Sequence, residues 1–286
     1  AAVAGGATAV AASTFPAPAI AQKRIEISMV ATWGRDFPGL GTGAQRFAKS
    51  LSDMTDGRMN VKYYAANERV KAFDSFDEVA SGNAQMYHAA DYYWKGKHPG
   101  WAYFTAVPFG FVFSEINSWI NYGGGQELWD ELAAGYGLKC LPCGNTGVQM
   151  GGWFRKEINT LDDLNGLKMR IPGFAGEVLS KLGVVVTNIA PGELYTALDR
   201  RTIDALEWVG PSLDLSMGFQ KIAPYYYTGW HEPATELQFI VNQAKFDALP
   251  AHLQEILKTA MKYAAYDMYT RSYHESAVNW ASIEKD

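Results

Sequence analysis

Apolar and polar positions alternate along the first third of the chain in a pattern that switches period. Residues 24–31 alternate around Ile25, Ile27 and Met29, the two-residue repeat of a strand. A glycine-rich loop follows over residues 34–43. Phe47, Leu51 and Met54 then share one helical face, and Gly57 ends that helix. Residues 59–64 alternate as a second strand, 73–81 have helical spacing, and 84–90 read as a third strand. This β-α-β-α-β succession predicts a mostly parallel sheet covered by helices.

The alternation restarts after Gly135. Strands are predicted over residues 147–154, 167–171, 184–187 and 203–207, with helices over 174–182 and 193–200. Leu194, Ala197 and Leu198 are expected to face inward. Residues 236–241 form a further strand. From Ala251 to at least Trp280 the spacing is helical, with Leu253, Ile256, Leu257, Ala260, Tyr263 and Ala264 on the inner face. There is no internal repeat, low-complexity tract or serine-rich linker. Two α/β halves without a linker imply a chain that crosses between domains more than once.

Both ends carry their own signals. Ala1 to Ala12 is an uncharged run of small residues, and Ala19-Ile20-Ala21 stands before Gln22 as an Ala-x-Ala cleavage site does. Residues 1–21 are therefore expected to be the remnant of a signal peptide, and the mature protein to be exported. Residues 282–286 carry no stop signal, so the last helix is expected to run on.

Composition changes the picture at three points. A chain of 286 residues suits one large domain or two ordinary ones. A net charge of −5 argues against a nucleic-acid partner, which calls for a basic face. No uncharged apolar run reaches the about 20 residues of a membrane span. The 9 Trp and 16 Tyr fill cores and also line small-molecule pockets. Cys140 and Cys143 lie in an apolar, strand-like stretch. In an exported protein they could form a local disulfide. The motif does not open a helix, as a redox centre would, and further zinc ligands are not evident nearby. The pair reads as structural.

The candidate chemistry sits at two strand ends. Leu167-Lys168-Met169-Arg170-Ile171-Pro172-Gly173 and Ile203-Asp204-Ala205-Leu206-Glu207-Trp208-Val209-Gly210-Pro211 each run from a buried strand into a loop and carry a charge at the carboxyl end. In open α/β sheets that end faces the ligand crevice. Arg170 is permanently charged, and its planar fork suits a carboxylate. Read alone, an arginine such as Arg170 is more often a surface ion-pair partner, and Glu207 can be a carboxylate bonded to nearby amides. Other motifs fall away. Residues 39–43 lack the dinucleotide spacing, His231-Glu232 lacks the second histidine of a zinc protease helix, and there is no phosphate loop or Gly-x-Ser-x-Gly elbow.

Taken with Leu161 to Gly173, Gly192 to Arg200, Ile203 to Glu207 and Phe246-Asp247-Ala248-Leu249-Pro250, in this order and spacing, the chain resembles the periplasmic solute-binding proteins of TRAP (tripartite ATP-independent periplasmic) transporters, the DctP-type family. Residues 229–233 and the pair Glu207-Trp208 look like the branch that binds 2-oxo acids or lactate with a metal ion. The resemblance implies a two-lobed, type II-like α/β fold, with mixed sheets flanked by helices, the ligand in the interlobe cleft and a long C-terminal helix. Lobe I would take residues 22–146 and 237–286, and lobe II residues 147–236. The family arginine that pairs the ligand carboxylate falls on Arg170. Relatives such as the sialic acid binders carry a second arginine on the preceding strand. Here that region is Asn145 to Gln149, with Gln149 in the arginine's place, and both Asn145 and Gln149 enter the expected ligand set. Many relatives end the later strand in Glu-Asn, where this chain has Glu207-Trp208. Both departures disfavour a long polyol acid or a C4-dicarboxylate and fit a smaller ligand with a cation.

A 2-oxo acid offers a carboxylate and a neighbouring oxygen, which together chelate a metal. A hard cation, Na⁺ or Ca²⁺, takes oxygen ligands. Gln149 Oε1, the Glu207 carboxylate and the Trp208 carbonyl would supply them, with Glu232 as a further ligand and Gln238 as a weaker one. His231 reads as a satisfied pocket histidine. From the first lobe, Trp33, Tyr92 and Tyr93 follow strand ends and would wall the pocket, Trp208 closing another side. The expected function is capture of a small monocarboxylate, pyruvate first and lactate or another 2-hydroxy acid next, for delivery to the small and large membrane subunits of the transporter, without catalysis. Relatives of this branch can form a homodimer through the C-terminal helix, and for this chain the resemblance leaves the oligomeric state open. A metal-dependent enzyme acting on 2-oxo acids would use the same arginine and carboxylates, but no general base or electron sink stands out. A ligand-sensing subunit of a signalling system is the third reading.

Overall fold

The computed structural model describes residues 24–285, so the expected signal-peptide remnant lies outside the described residues. Among the described residues, ten strands make two five-stranded sheets. The first sheet has the order β2-β1-β3-β10-β4, formed by β1 (Ile25–Ala31), β2 (Met59–Tyr64), β3 (Met86–Ala89), β4 (Leu138–Asn145) and β10 (Glu236–Asn242). β1, β2 and β3 are parallel, while β10 runs antiparallel to both β3 and β4. The second sheet has the order β7-β6-β8-β5-β9, from β5 (Gly152–Phe154), β6 (Lys168–Arg170), β7 (Val185–Thr187), β8 (Ala205–Leu206) and β9 (Tyr225–Tyr227). Here β6, β7 and β8 are parallel, and β5 is antiparallel to β8 and β9. Two mixed sheets flanked by helices, with a long C-terminal helix, are the architecture the sequence predicts.

The chain passes from one sheet to the other after β4 and returns before β10. The helix Ala251–Ile283 braces both sides of this crossing. Its Ser272 hydroxyl donates to the Thr146 carbonyl at 2.8 Å and lies 3.0 Å from the Ser212 hydroxyl, while Asn279 Nδ2 donates to the Pro211 carbonyl at 2.9 Å. Leu253, Leu257 and Ala260 face the core as expected, but Tyr263 falls on the flank of the stripe and is 58% exposed. Among the described residues, no helix is long and apolar enough to cross a membrane.

One predicted strand needs correction, and two points the sequence leaves open are resolved. The strand predicted over residues 147–154 shrinks to β5, because residues 146–151 form a loop whose amides reach separate segments. Thr146 N–H donates to Thr235, Gln149 to Glu232, Met150 to Val209 and Gly151 to Tyr227. Helices Phe113–Tyr122 and Gly125–Ala134 occupy a segment the alternation leaves unassigned. Cys140 and Cys143 are both free and buried. An odd separation on an extended strand sends them to opposite faces, Cys140 into the cluster around Tyr87 and Trp129, and Cys143 into the one around Trp33 and Phe239.

Candidate functional site

Adjacent parallel strands place the two charges side by side. Arg170 is the last residue of β6, in register with Leu206 of β8, and Glu207 follows directly. The pairing closes from both sides. Glu207 N–H donates to the Arg170 carbonyl at 3.0 Å, and Arg170 Nη1 donates to the Glu207 carbonyl at 2.8 Å and to Glu207 Oε2 at 3.2 Å. Both side chains are 0% exposed. The guanidinium also lies over the Trp208 ring at 5.5 Å. Gly173, at φ +66°, turns the chain after Arg170 so closely past Tyr92 that a Cβ would stand 3.4 Å from its ring.

Two loops between the sheets complete the group. Gln149 lies in the first crossing and Glu232 in the second, and the Gln149 amide donates to the Glu232 carbonyl at 2.9 Å. Gln149 Nε2 is held by the Thr146 hydroxyl at 2.9 Å. The Thr235 hydroxyl donates to Glu232 Oε2. Glu207, His231 and Glu232 are buried, and each offers a ligand atom within 4.8 Å of the others. His231 Nε2 stands 3.6 Å from Glu207 Oε1, beyond hydrogen-bond range, and has no partner. The histidine expected to be satisfied is therefore not.

The unpartnered atoms define what the site lacks. Arg170 Nε and Nη2, Gln149 Oε1, Glu207 Oε1 and Trp208 Nε1 are all buried without hydrogen bonds. A guanidinium cannot be neutralised by losing a proton, so its free N–H groups call for an acceptor. The unpartnered oxygens belong to an amide and a carboxylate, the donor types a hard cation takes. Gln149, Glu207 and Glu232 therefore fit such an ion, which would balance charge where two carboxylates meet.

Electrostatics point the same way. Burial pushes the Glu207 carboxyl up to about 8, against the opposing pull of Arg170 and with Asp214 adding to the rise. Glu232 is raised to about 7 by burial and then by Glu207, with His231, Thr235 and Arg170 opposing. Burial lowers His231. Tyr93 is raised to about 12 by burial, with the nearby Arg170 charge opposing. Burial also raises Tyr92 well above its ordinary value, and Glu232 adds to that rise.

The expected residues thus divide. Arg170, Gln149, Glu207, Trp208 and Glu232 come together, with Tyr92 and Tyr93 close enough to feel their charges. Trp33 packs edge-on to His88 at 4.7 Å, its indole N–H unpartnered. Asn145 is corrected, since it is turned toward protein partners, Nδ2 donating to Glu236 Oε2 at 2.9 Å and Oδ1 accepting from Gly147 N–H at 2.8 Å. Gln238 is corrected likewise. Its Oε1 accepts from Asp91 N–H at 2.8 Å and its Nε2 donates to the Phe104 and Glu236 carbonyls at 2.7 and 2.8 Å. The sequence reading missed Thr146 and Thr235, which hold Gln149 and Glu232, and Phe37, edge-on to Trp208 at 5.7 Å. It also missed Asp214, an acid in the first turn of the helix Pro211–Met217.

Residues 30–285 match the bacterial extracellular solute-binding proteins of family 7. The monocarboxylate 2-oxoacid-binding periplasmic protein of Nostoc sp. is 44% identical over 233 residues, covering 81% of this chain. The chain spans 64% of that relative's length. A TRAP periplasmic solute-binding protein from Pseudoalteromonas atlantica, solved with sodium and pyruvate, superposes with a TM-score of 0.90 at 59% identity, over 92% of this chain and 80% of that one. A protein of the same description from Colwellia psychrerythraea, solved with calcium and pyruvate, gives a TM-score of 0.89 at 58% identity, over the same 92% and 80%.

Proposed function

The chain belongs to the bacterial extracellular solute-binding proteins of family 7, and from that premise we propose that this TRAP solute-binding protein captures a small 2-oxo acid such as pyruvate together with Na⁺ or Ca²⁺. The observation that carries this reading is the buried Arg170 guanidinium with Nε and Nη2 unpartnered, beside the unpartnered oxygens of Gln149 and Glu207. Arg170 takes the ligand carboxylate. Gln149 Oε1, the Glu207 carboxylate and the Trp208 carbonyl hold the cation, and Glu232 adds a further carboxylate. A cation held by these oxygens would offset the two carboxylates and supply positive charge to attract the ligand's oxygens. Tyr92, Tyr93 and the Trp208 ring wall the pocket around the ligand's side chain. Trp33 enters as a wall of the same pocket.

The lobes are residues 22–146 with 237–286, and residues 147–236, each built around one sheet and meeting at the site. Closure follows from contacts that both lobes make to the ligand only when shut. The role is capture in the periplasm and delivery to the transporter's membrane subunits rather than turnover, a reading supported by membership of the solute-binding family.

Calorimetry on protein unfolded and refolded to strip bound ligand tests the reading. Pyruvate is expected to bind tightly only when Na⁺ or Ca²⁺ is present. Binding indifferent to the cation would remove the metal site and keep the carboxylate role of Arg170. Preference for lactate would shift the ligand to 2-hydroxy acids. Consumption of pyruvate by the protein would overturn the binding role.

A further inference from the structure

Asp214 does not touch the Arg170 group, yet its carboxylate is tied to the loop that presents it. Oδ1 accepts from the Val209 and Gly210 amides at 3.0 and 2.8 Å, immediately after Glu207-Trp208. Oδ2 accepts from the Trp153 indole at 3.0 Å and the Tyr226 hydroxyl at 2.9 Å. Those two rings are partners across β5 and β9 and stack at 3.8 Å. The side chain is 0% exposed, and each oxygen has two donors. Such saturation holds a buried carboxylate rigidly.

The tether continues toward the proposed ligands. The Val209 carbonyl accepts from Met150 N–H at 2.7 Å, and the neighbouring Gln149 amide donates to Glu232. Asp214 thus fixes the segment after Trp208, and that segment fixes Gln149 and, through it, Glu232. Arg170 is positioned separately, by β6 and its bonds to Glu207. An anchor on this side acts on Gln149, Glu232 and the Trp208 carbonyl, while strand pairing and the bonds between Arg170 and Glu207 hold the guanidinium.

We propose that Asp214 is a positioning residue for the cation, clamping the Trp208–Gly210 loop against the stacked Trp153–Tyr226 pair so that Gln149, Glu207 and Trp208 converge. This rests on the cation site proposed above. Metal-ligand shells of this kind are held by outer hydrogen-bond partners whose loss commonly lowers metal affinity about tenfold or more.

The test compares Asp214→Asn, Asp214→Ala and Tyr226→Phe with the unaltered protein, by calorimetric titration of calcium at saturating pyruvate, of pyruvate at saturating calcium, and by thermal melting. Asp214→Asn keeps the size of the side chain and an oxygen for the Val209 and Gly210 amides, but aims an amide donor at the Trp153 indole donor. Calcium affinity is expected to fall about tenfold or more in Asp214→Asn, and further in Asp214→Ala where that variant folds. Pyruvate affinity at saturating calcium should stay nearly unchanged. Tyr226→Phe, which keeps both loop amides bonded, should shift calcium affinity least. Unchanged calcium affinity in Asp214→Asn, or equal losses for calcium and pyruvate alongside a lowered melting temperature, would overturn the inference. If the unaltered protein takes no calcium, the cation reading and this inference fall together. If it takes calcium and Asp214→Asn takes it equally, the inference alone falls.

Discussion

Two buried polar groups lie within this fold, and burial does not tell them apart. In the first sheet, Tyr87, Asp91, Asn145, Glu236 and Gln238 are sunk among hydrophobic side chains. In the second, Arg170 and Glu207 are equally sunk, with Gln149 and Trp208 beside them. The difference lies in what is left unbonded. The first group bonds nearly every polar atom, as when Tyr87 donates to Asp91 Oδ1 at 3.1 Å and the Gln238 amide holds three backbone groups. Its leftovers include Asp91 Oδ2 and Glu236 Oε1, and burial pushes both carboxyls upward, Glu236 to about 8. Those acids can go neutral. The second group leaves two donor nitrogens of a guanidinium that cannot, beside two unbonded oxygens. A buried permanent charge that the fold only half satisfies is the signature of a partner from outside, and a buried acid with one idle oxygen is not.

The largest effect should come from deleting the feature that separates the groups. Arg170→Ala is expected to cost about 2–5 kcal/mol of pyruvate binding, the range for truncating one partner of a buried, hydrogen-bonded charge pair. Titration calorimetry reads this directly, and unchanged affinity would erase the distinction. The matching substitution in the first sheet is Gln238→Leu. It leaves the Asp91 amide and the Phe104 and Glu236 carbonyls without their partner. A loss of about 1–3 kcal/mol of stability is expected, seen as a lower denaturation midpoint, with pyruvate affinity intact. A variant that folded normally but bound weakly would move Gln238 from the first group into the second.

The sequence makes one of these groups far more legible than the other. Arg170 and Glu207 can be read because a charge ending an apolar strand is a local pattern, and adjacent parallel strands bring such ends together. The Gly229 to Pro233 turn flags Glu232 only through the family resemblance. The roles of Asn145 and Gln238 depend on which strand lies beside them. β10 inserts between β3 and β4, so Gln238 meets Asp91 and Asn145 meets Glu236, pairings made across long stretches of chain. Nothing near either residue announces that. The same non-local cause turns residues 146–151 from a predicted strand into a loop, since their amides bond to Thr235, Glu232, Val209 and Tyr227. The alternation around β1, β2 and β3 needed no such knowledge, and those strands formed within a few residues of the expected bounds.

The smallest predicted effect separates the two groups by the sign of their pH dependence. In the second group, burial raises Glu207 to about 8, with Asp214 adding to the rise, and burial and the Glu207 charge raise Glu232 to about 7. A cation requires their ionised forms, so its binding displaces protons wherever these carboxyls are protonated beforehand. Calcium affinity should therefore rise with pH and level off above the Glu207 value. The gain should be at most about tenfold, or 1.4 kcal/mol, per pH unit for each proton displaced. In the first group no cation repays ionisation. Glu236 goes from the ordinary 4.5 to about 8 on folding. Its contribution to stability is fully present below the unfolded value and is lost as pH rises through the folded one. Between pH 6 and 8.5, calcium titrations and urea melts of calcium-free protein should thus trend in opposite directions, affinity up and stability down. Replacing Glu236 by Gln should flatten part of the stability trend and leave the calcium trend in place. Loss of the calcium trend in that variant would mean that the two groups titrate as one.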